Sequence, residues 1–140
     1  MASKKVFVDS DIILDLLLKR EPFFRFSQTL LNAADKYSFT LYTSTLVIAN
    51  VHYFLNKSLK DKATARLHIK LLAEIIAILS VVTAEDIDFA INSNNNDFED
   101  AIQISVAENA KADIIITRNT KDYKHSTIPV LTAEQFLRTL

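Results

Sequence analysis

Three short stretches of the chain group side chains able to hold a cation or move a proton. In Val6-Phe7-Val8-Asp9-Ser10-Asp11, two carboxylates follow an apolar run directly. In Asp97-Phe98-Glu99-Asp100, the i, i+3 spacing puts Asp97 and Asp100 on neighbouring parts of one helical face. In Thr117-Arg118-Asn119-Thr120-Lys121-Asp122-Tyr123, hydroxyls, an amide and an acid follow a run of isoleucines. Carboxylates brought together repel one another unless a cation lies between them. Oxygen-only donors favour Mg²⁺ or Mn²⁺, and such ions activate water and clamp a phosphodiester for in-line attack. The residues by themselves reach as far as metal-dependent phosphoryl chemistry.

Each acid also has an ordinary structural role to weigh against that chemistry. Asp11 stands where a helix begins and is expected to cap it. Asp97 and Asp100 have the spacing of a capping box. Asp100, however, shares a stripe with Ile104 and Ala107, so it heads an inward-facing row, and an inward carboxylate needs a partner. Asp9 follows a strand that reads as buried, a position where ligands bind in parallel sheets.

Composition removes most other chemistries. The chain has 140 residues, 49% hydrophobic and 24% charged, which suits one folded domain over residues 1–140. Glycine is absent, so phosphate cradles that need residues without a Cβ are excluded. Cysteine is absent too, which excludes disulfides and thiolate metal sites. His52, His68 and His125 lack the short spacing of a helical zinc motif. A net charge of −1 gives no bulk attraction to nucleic acid, so such a partner needs a local basic patch. Asp9, Asp11 and Asp15 interrupt the first apolar stretch, and Leu71–Val82 is too short to span a bilayer, so a cytoplasmic location without membrane contact is expected.

The elements that must position these residues alternate. Strands are expected at Lys5–Asp9, Phe39–Tyr42, Ser80–Val82, Asp113–Thr117 and Ile128–Leu131. Helices are expected at Asp11–Lys19, from Pro22, at Thr45–Leu55 capped by Thr43 or Ser44, at Asp61–Ile78, Ala84–Asn92 and Asp97–Lys111, and after a Thr132/Gln135 capping box. In the Asp61–Ile78 helix, Leu67, Leu71, Ile75 and Leu79 line one side as its apolar face. Alternation of this kind implies a parallel α/β sheet, whose ligands bind beyond the carboxyl ends of the strands.

The ordered series Val6–Ile12, Thr43–Asn50, Asp97–Ala101 and Thr117–Tyr123, closing on Ile128–Leu137, resembles the PIN domain, and within it the bacterial VapC-type toxins. The resemblance runs from about Lys5 to the C-terminus and rests on the order of the motifs, none of which is specific alone. It implies a three-layer fold with a parallel sheet of about five strands flanked by helices, Mg²⁺- or Mn²⁺-dependent ribonuclease activity, and frequent homodimers. In toxin members it also implies an antitoxin from the same operon that blocks the site. Carried over, Asp9, Asp100 and Asp122 match the family's catalytic acids, with Asp97 and Glu99 as neighbouring metal ligands. Thr117 and Asn119 match polar positions that orient the site, and Ser44 the residue opening the third helix. Asp11 supports the same cluster. Asn50 departs from the pattern, standing where the family commonly carries Glu; its amide offers an oxygen without charge and no base.

An acidic site still has to hold RNA. Arg118 and Lys121 share a loop with Asp122 and are the expected phosphate contacts, with Lys19, Arg20, Lys57, Lys60 and Lys124 behind them. Phe23, Phe24 and Phe26 cannot all face one side of a helix, so one is expected to be exposed at an interface. Two other readings stand beside the nuclease. One is a catalytically weak PIN-fold module that only binds RNA or protein. The other is a receiver domain, disfavoured because no lysine directly follows the last strand.

Overall fold

In the computed structural model, residues 3–140 are described, with the backbone alone for 78–80. Five parallel strands form one sheet in the order β3-β2-β1-β4-β5. They are β1 (Lys4–Val8), β2 (Phe39–Ser44), β3 (Ala77–Ser80), β4 (Ile114–Ile116) and β5 (Val130–Leu131). The helices are α1 (Ser10–Leu17), α2 (Phe24–Lys36), α3 (Thr45–Leu59), α4 (Lys62–Ile75), α5 (Ala84–Asn92), α6 (Phe98–Asn109) and α7 (Ala133–Leu137), with a 3-10 turn at Thr120–Tyr123. Among the described residues, no helix is long and apolar enough to cross a membrane.

Strand order explains why the middle of the sheet matters. The chain moves outward from β1 through β2 to β3, then returns and builds β4 and β5 on the other side. The direction of winding therefore reverses between β1 and β4, and parallel sheets open a crevice at such a point. Val8 and Ile116 are register partners at the top of those strands. Asp9 and Thr117 thus emerge side by side. Val6, Phe7, Val8, Ile115 and Ile116 are buried, the pattern of strands covered on both faces.

Helix caps follow the sequence closely. Thr132 and Gln135 form the expected capping box, and Thr83 with Asp86 forms another. Ser44, rather than Thr43, caps α3. The cap of α1 is Asp9, whose side chain accepts from the Ser10 N–H at 2.7 Å. Asp11, expected to cap α1, does not, because Asp9 takes that place, and the Asp11 carboxylate meets the loop after β4 instead. Without glycine, the left-handed backbone positions near helix and turn ends fall to Lys19, Ser38, Lys60 and Lys111. Each carries a Cβ where glycine would relieve crowding, at a cost of about 1 kcal/mol.

Two expectations about apolar faces need correction. Leu67, Leu71 and Ile75 do form a stripe on α4, but it points to solvent, with each residue about half exposed. The helix packs through Ala65 and Leu72 instead. Ile75 ends the helix, Leu79 falls in β3, and its side chain lies outside the described residues. Phe23, Phe24 and Phe26 are all half-buried, so none stands out as exposed. The α2 helix begins at Phe24, two residues after Pro22.

Candidate metal centre and nuclease site

Four elements deliver carboxylates to the crevice between β1 and β4. Asp9 sits at the β1–α1 junction, where its N–H continues the sheet by donating to the Ile116 carbonyl at 3.0 Å. One carboxylate oxygen accepts from Ser10, and the other lies 3.0 Å from the Thr117 hydroxyl. That hydroxyl is also 3.3 Å from Asp11, so its single proton serves one acid at a time. Asp11 accepts from the Arg118 N–H at 2.9 Å as well. The β1–α1 and β4 loops are thereby stitched together through side chains the sequence singled out.

Asp97 caps α6 by accepting from the Asp100 N–H at 2.9 Å, which fixes Asp100 in the first turn. Asp122 lies in the 3-10 turn, where it accepts from the Asn119 amide. The same amide is 3.5 Å from Asp100. The Asn95 side chain donates to the Asp122 carbonyl, tying the polar loop before α6 to this turn. As a result, carboxylate oxygens of Asp97, Asp100 and Asp122 all lie within 4.8 Å of one another.

The electrostatics of this cluster match its geometry. Burial pushes the Asp100 carboxyl up to about 8, with the charges of Asp9, Asp97 and Asp122 adding to it. Burial also raises Asp9, opposed by donation from Ser10, Tyr123 and Thr117. Asp11 rises to about 7 through burial and the neighbouring charge of Asp9. A buried group of acids that resists ionising is one that gains from a cation, and its oxygen-only donors fit a hard divalent ion.

This cluster sets up a pH dependence with a definite sign. In metal-free protein, Asp11 and Asp100 bind protons more tightly folded than unfolded, between the ordinary carboxyl range and about 7 to 8. Wherever the folded state holds more protons, stability falls as pH rises. Their contribution therefore lowers the melting temperature from about pH 5.5 to about pH 8 in EDTA, and Mn²⁺ restores more of it at the higher pH. Thermal melts with and without the ion measure this directly. Equal stabilisation by Mn²⁺ at both pH values would contradict it.

Other expected site residues are placed less directly. Ser44 is fully buried; beyond capping α3 it donates to Gln103 Oε1 at 2.8 Å, bracing α3 against α6. Asn50 donates to Glu99 at 3.1 Å, and Glu99 is exposed and outside the close carboxylate group. Arg118 is redirected. Its Nε and Nη2 reach the fully buried Asp15 at 2.8 and 3.0 Å, and its guanidinium covers the Phe23 ring at 3.9 Å. A buried carboxylate requires a countercharge, and this arginine supplies it to Asp15. Lys121 remains exposed beside Asp122.

Two participants escaped the sequence reading. Tyr123 is buried, with its hydroxyl donating to Asp100 at 3.3 Å and lying near enough to Asp9 to feel its charge. Burial and the charges of Asp9 and Asp100 hold its phenol well above the ordinary range, so it stays protonated and donates to Asp100. Its only signal was adjacency to Asp122. Gln103 is likewise buried, three residues beyond Asp100 on the inward row.

Residues 5–121 match the PIN domain family model. The chain belongs to the PIN domain family. It is 33% identical over 141 residues to Ribonuclease VapC1 of Aquifex aeolicus (strain VF5), covering 97% of this chain and 95% of that one. Solved PIN-like structures share the fold at lower identity. VapC20 of Mycobacterium tuberculosis, a sarcin-ricin loop cleaving toxin, superposes with a TM-score of 0.68 at 16% identity, covering 89% of this chain and 98% of that one. A toxin–antitoxin complex from Klebsiella pneumoniae gives 0.64 at 19% identity, covering 91% and 97%. The α/β fold of this PIN chain is the one expected from its alternating elements, with five parallel strands in the sheet.

Proposed function

We propose that this chain is a metal-dependent endoribonuclease, the toxin of a toxin–antitoxin pair, with Mg²⁺ or Mn²⁺ held by Asp9, Asp97, Asp100 and Asp122. The observation that carries this reading is the close group of Asp97, Asp100 and Asp122 at the β1/β4 switch point, with Asp9 near enough for its charge to act on Asp100, in a chain 33% identical to a VapC ribonuclease. When bound, a divalent cation there supplies positive charge for the phosphodiester oxygens during in-line displacement. The chain's own residues prepare that site. Ser10 and Thr117 fix Asp9, Asp97 fixes the start of α6 beneath Asp100, Asn119 orients Asp122, and Tyr123 donates to Asp100. Lys121 is the phosphate contact beside them. Asn50 brings no charge and donates to the Glu99 carboxylate, so the binding-only module stays the alternative that the cleavage test decides.

The test is cleavage of a mixed RNA pool, tRNA included, by purified protein with Mn²⁺ or Mg²⁺. Cleavage that requires the ion supports the reading; a folded protein that binds RNA without cutting it points to the binding module. The antitoxin would be a small protein that occludes this crevice, as the similarity to toxins suggests. The half-exposed stripe of Leu67, Leu71 and Ile75 on α4 is proposed as the contact with a second copy, since such apolar stripes mark association surfaces. Leu71→Asp is then expected to convert a dimer into a folded monomer on light scattering, while a wild-type monomer at micromolar concentration would remove the homodimer.

A further inference from the structure

A cavity of about 450 Å³ opens between α5 and α6, next to the carboxylate cluster but not part of it. Its walls include Phe89, Asn92, Asn94, Asn95, Ile104 and His125. The volume is that of a small-ligand site. The cavity and the cluster share structure: Ala101, which lines the cavity, follows Asp100, and Asn95 donates to the Asp122 carbonyl. A molecule seated here adjoins the carboxylate cluster.

The geometry points to a pocket for one unstacked base of the RNA, adjoining the scissile phosphate; this rests on the nuclease reading above. Phe89 is 40% exposed and lines the cavity, an accessible aromatic ring of the kind on which single-stranded bases stack. Around it are groups able to read a base edge in either direction. Asn94 and His125 make no side-chain hydrogen bond among the described residues, and Asn92 spends one amide proton on the Asp88 carbonyl at 2.9 Å, leaving its oxygen open. An amide and an imidazole supply both donors and acceptors. Asn95 is different in kind. Its nitrogen serves Asp122 and its oxygen accepts from the Asp97 N–H at 3.0 Å, so it couples the pocket wall to two of the acids. An apolar peptide would leave those open amide groups unpaired, whereas a heteroaromatic base uses them and the ring together.

Sequencing the ends of a cleaved random RNA pool tests this for wild type, Phe89→Ala and Asn94→Ala. Wild type is expected to prefer one base at a fixed position beside the cut. Phe89→Ala flattens that preference and lowers kcat/KM on the preferred sequence about tenfold, with disfavoured sequences little changed. An unchanged cut profile and rate in both variants overturns the pocket while leaving the nuclease intact. A second measurement stands without cleavage: NMR of the Phe89 ring and the Asn94 and His125 side chains in EDTA, titrated with AMP, CMP, GMP and UMP. Shifts at these residues support the pocket even if the protein never cuts RNA, and no shift with any nucleotide overturns it.

Discussion

Asp100→Asn is expected to abolish RNA cleavage and, in the same protein, to raise stability. The first effect follows from position. Asp100 lies in the close carboxylate group, its carboxyl touches Tyr123, and it faces the charges of Asp9, Asp97 and Asp122. Losing one anionic ligand from such a centre removes several kcal/mol of charge stabilisation in the transition state, a loss of about a thousandfold in rate. The second effect follows from the cause of its raised pKa. Burial and like charges make ionised Asp100 unfavourable without a cation, and the neutral amide removes that repulsion while keeping the size. In EDTA at about pH 8 the variant should therefore melt above wild type, and Mn²⁺ should stabilise it less. Asp9→Asn should lose cleavage likewise while keeping the α1 cap, because an amide oxygen can still accept from Ser10. Cleavage assays and melts on the same preparations decide the matter. Wild-type cleavage by both variants would place the reaction elsewhere or in a contaminant. Reduced stability of Asp100→Asn in EDTA would mean that the acids do not strain one another as argued.

The divergence between what the sequence disclosed and what it concealed has a physical basis. Local rules act over a few residues, so the α5 boundaries at Ala84 and Asn92, the Thr132/Gln135 box and the inward row from Asp100 were all legible. The alternation of elements was enough to place Asp9 and Thr117 beyond strand ends, because parallel strands put their carboxyl ends on one edge. What stayed hidden depended on long-range partners. Asp11 read as a cap because nothing near it in sequence shows that its acceptor role is filled by Thr117 and Arg118. The Leu67, Leu71 and Ile75 stripe has helical periodicity, but periodicity gives a face and not the identity of what covers it. Gln103 became important only once α3 and α6 were side by side and Ser44 could reach it.

Asp15 is the sharpest case of that kind, and its replacement should give the largest loss of stability. It is fully buried and had no site role in the sequence beyond interrupting an apolar stretch. In the fold it holds Arg20 at 2.9 Å and Arg118 at 2.8 Å, one from the turn after α1 and the other from the loop after β4. Removing one member of a buried pair leaves charge without a partner, at about 3 to 5 kcal/mol. Here the arginine side chains keep 39% and 33% of their exposure, so water can take them back and the cost of Asp15→Ala should lie near 3 kcal/mol. That corresponds to a melting temperature lower by about 10 °C, measurable by calorimetry and checked by urea unfolding. Arg118 supplies the backbone N–H that holds Asp11, so loosening its loop should also weaken cleavage without touching a metal ligand. Arg20→Ala, which leaves Asp15 its two bonds to Arg118, should cost less. An apolar replacement of Asp15 and Arg118 together should recover part of the stability, since well-packed hydrophobic residues often match a buried ion pair. If Asp15→Ala unfolds less than about 1 kcal/mol more easily than wild type, the two arginines are not being held against charge at all, and the ordering of the β4 loop must come from Thr117 and Asp11 alone.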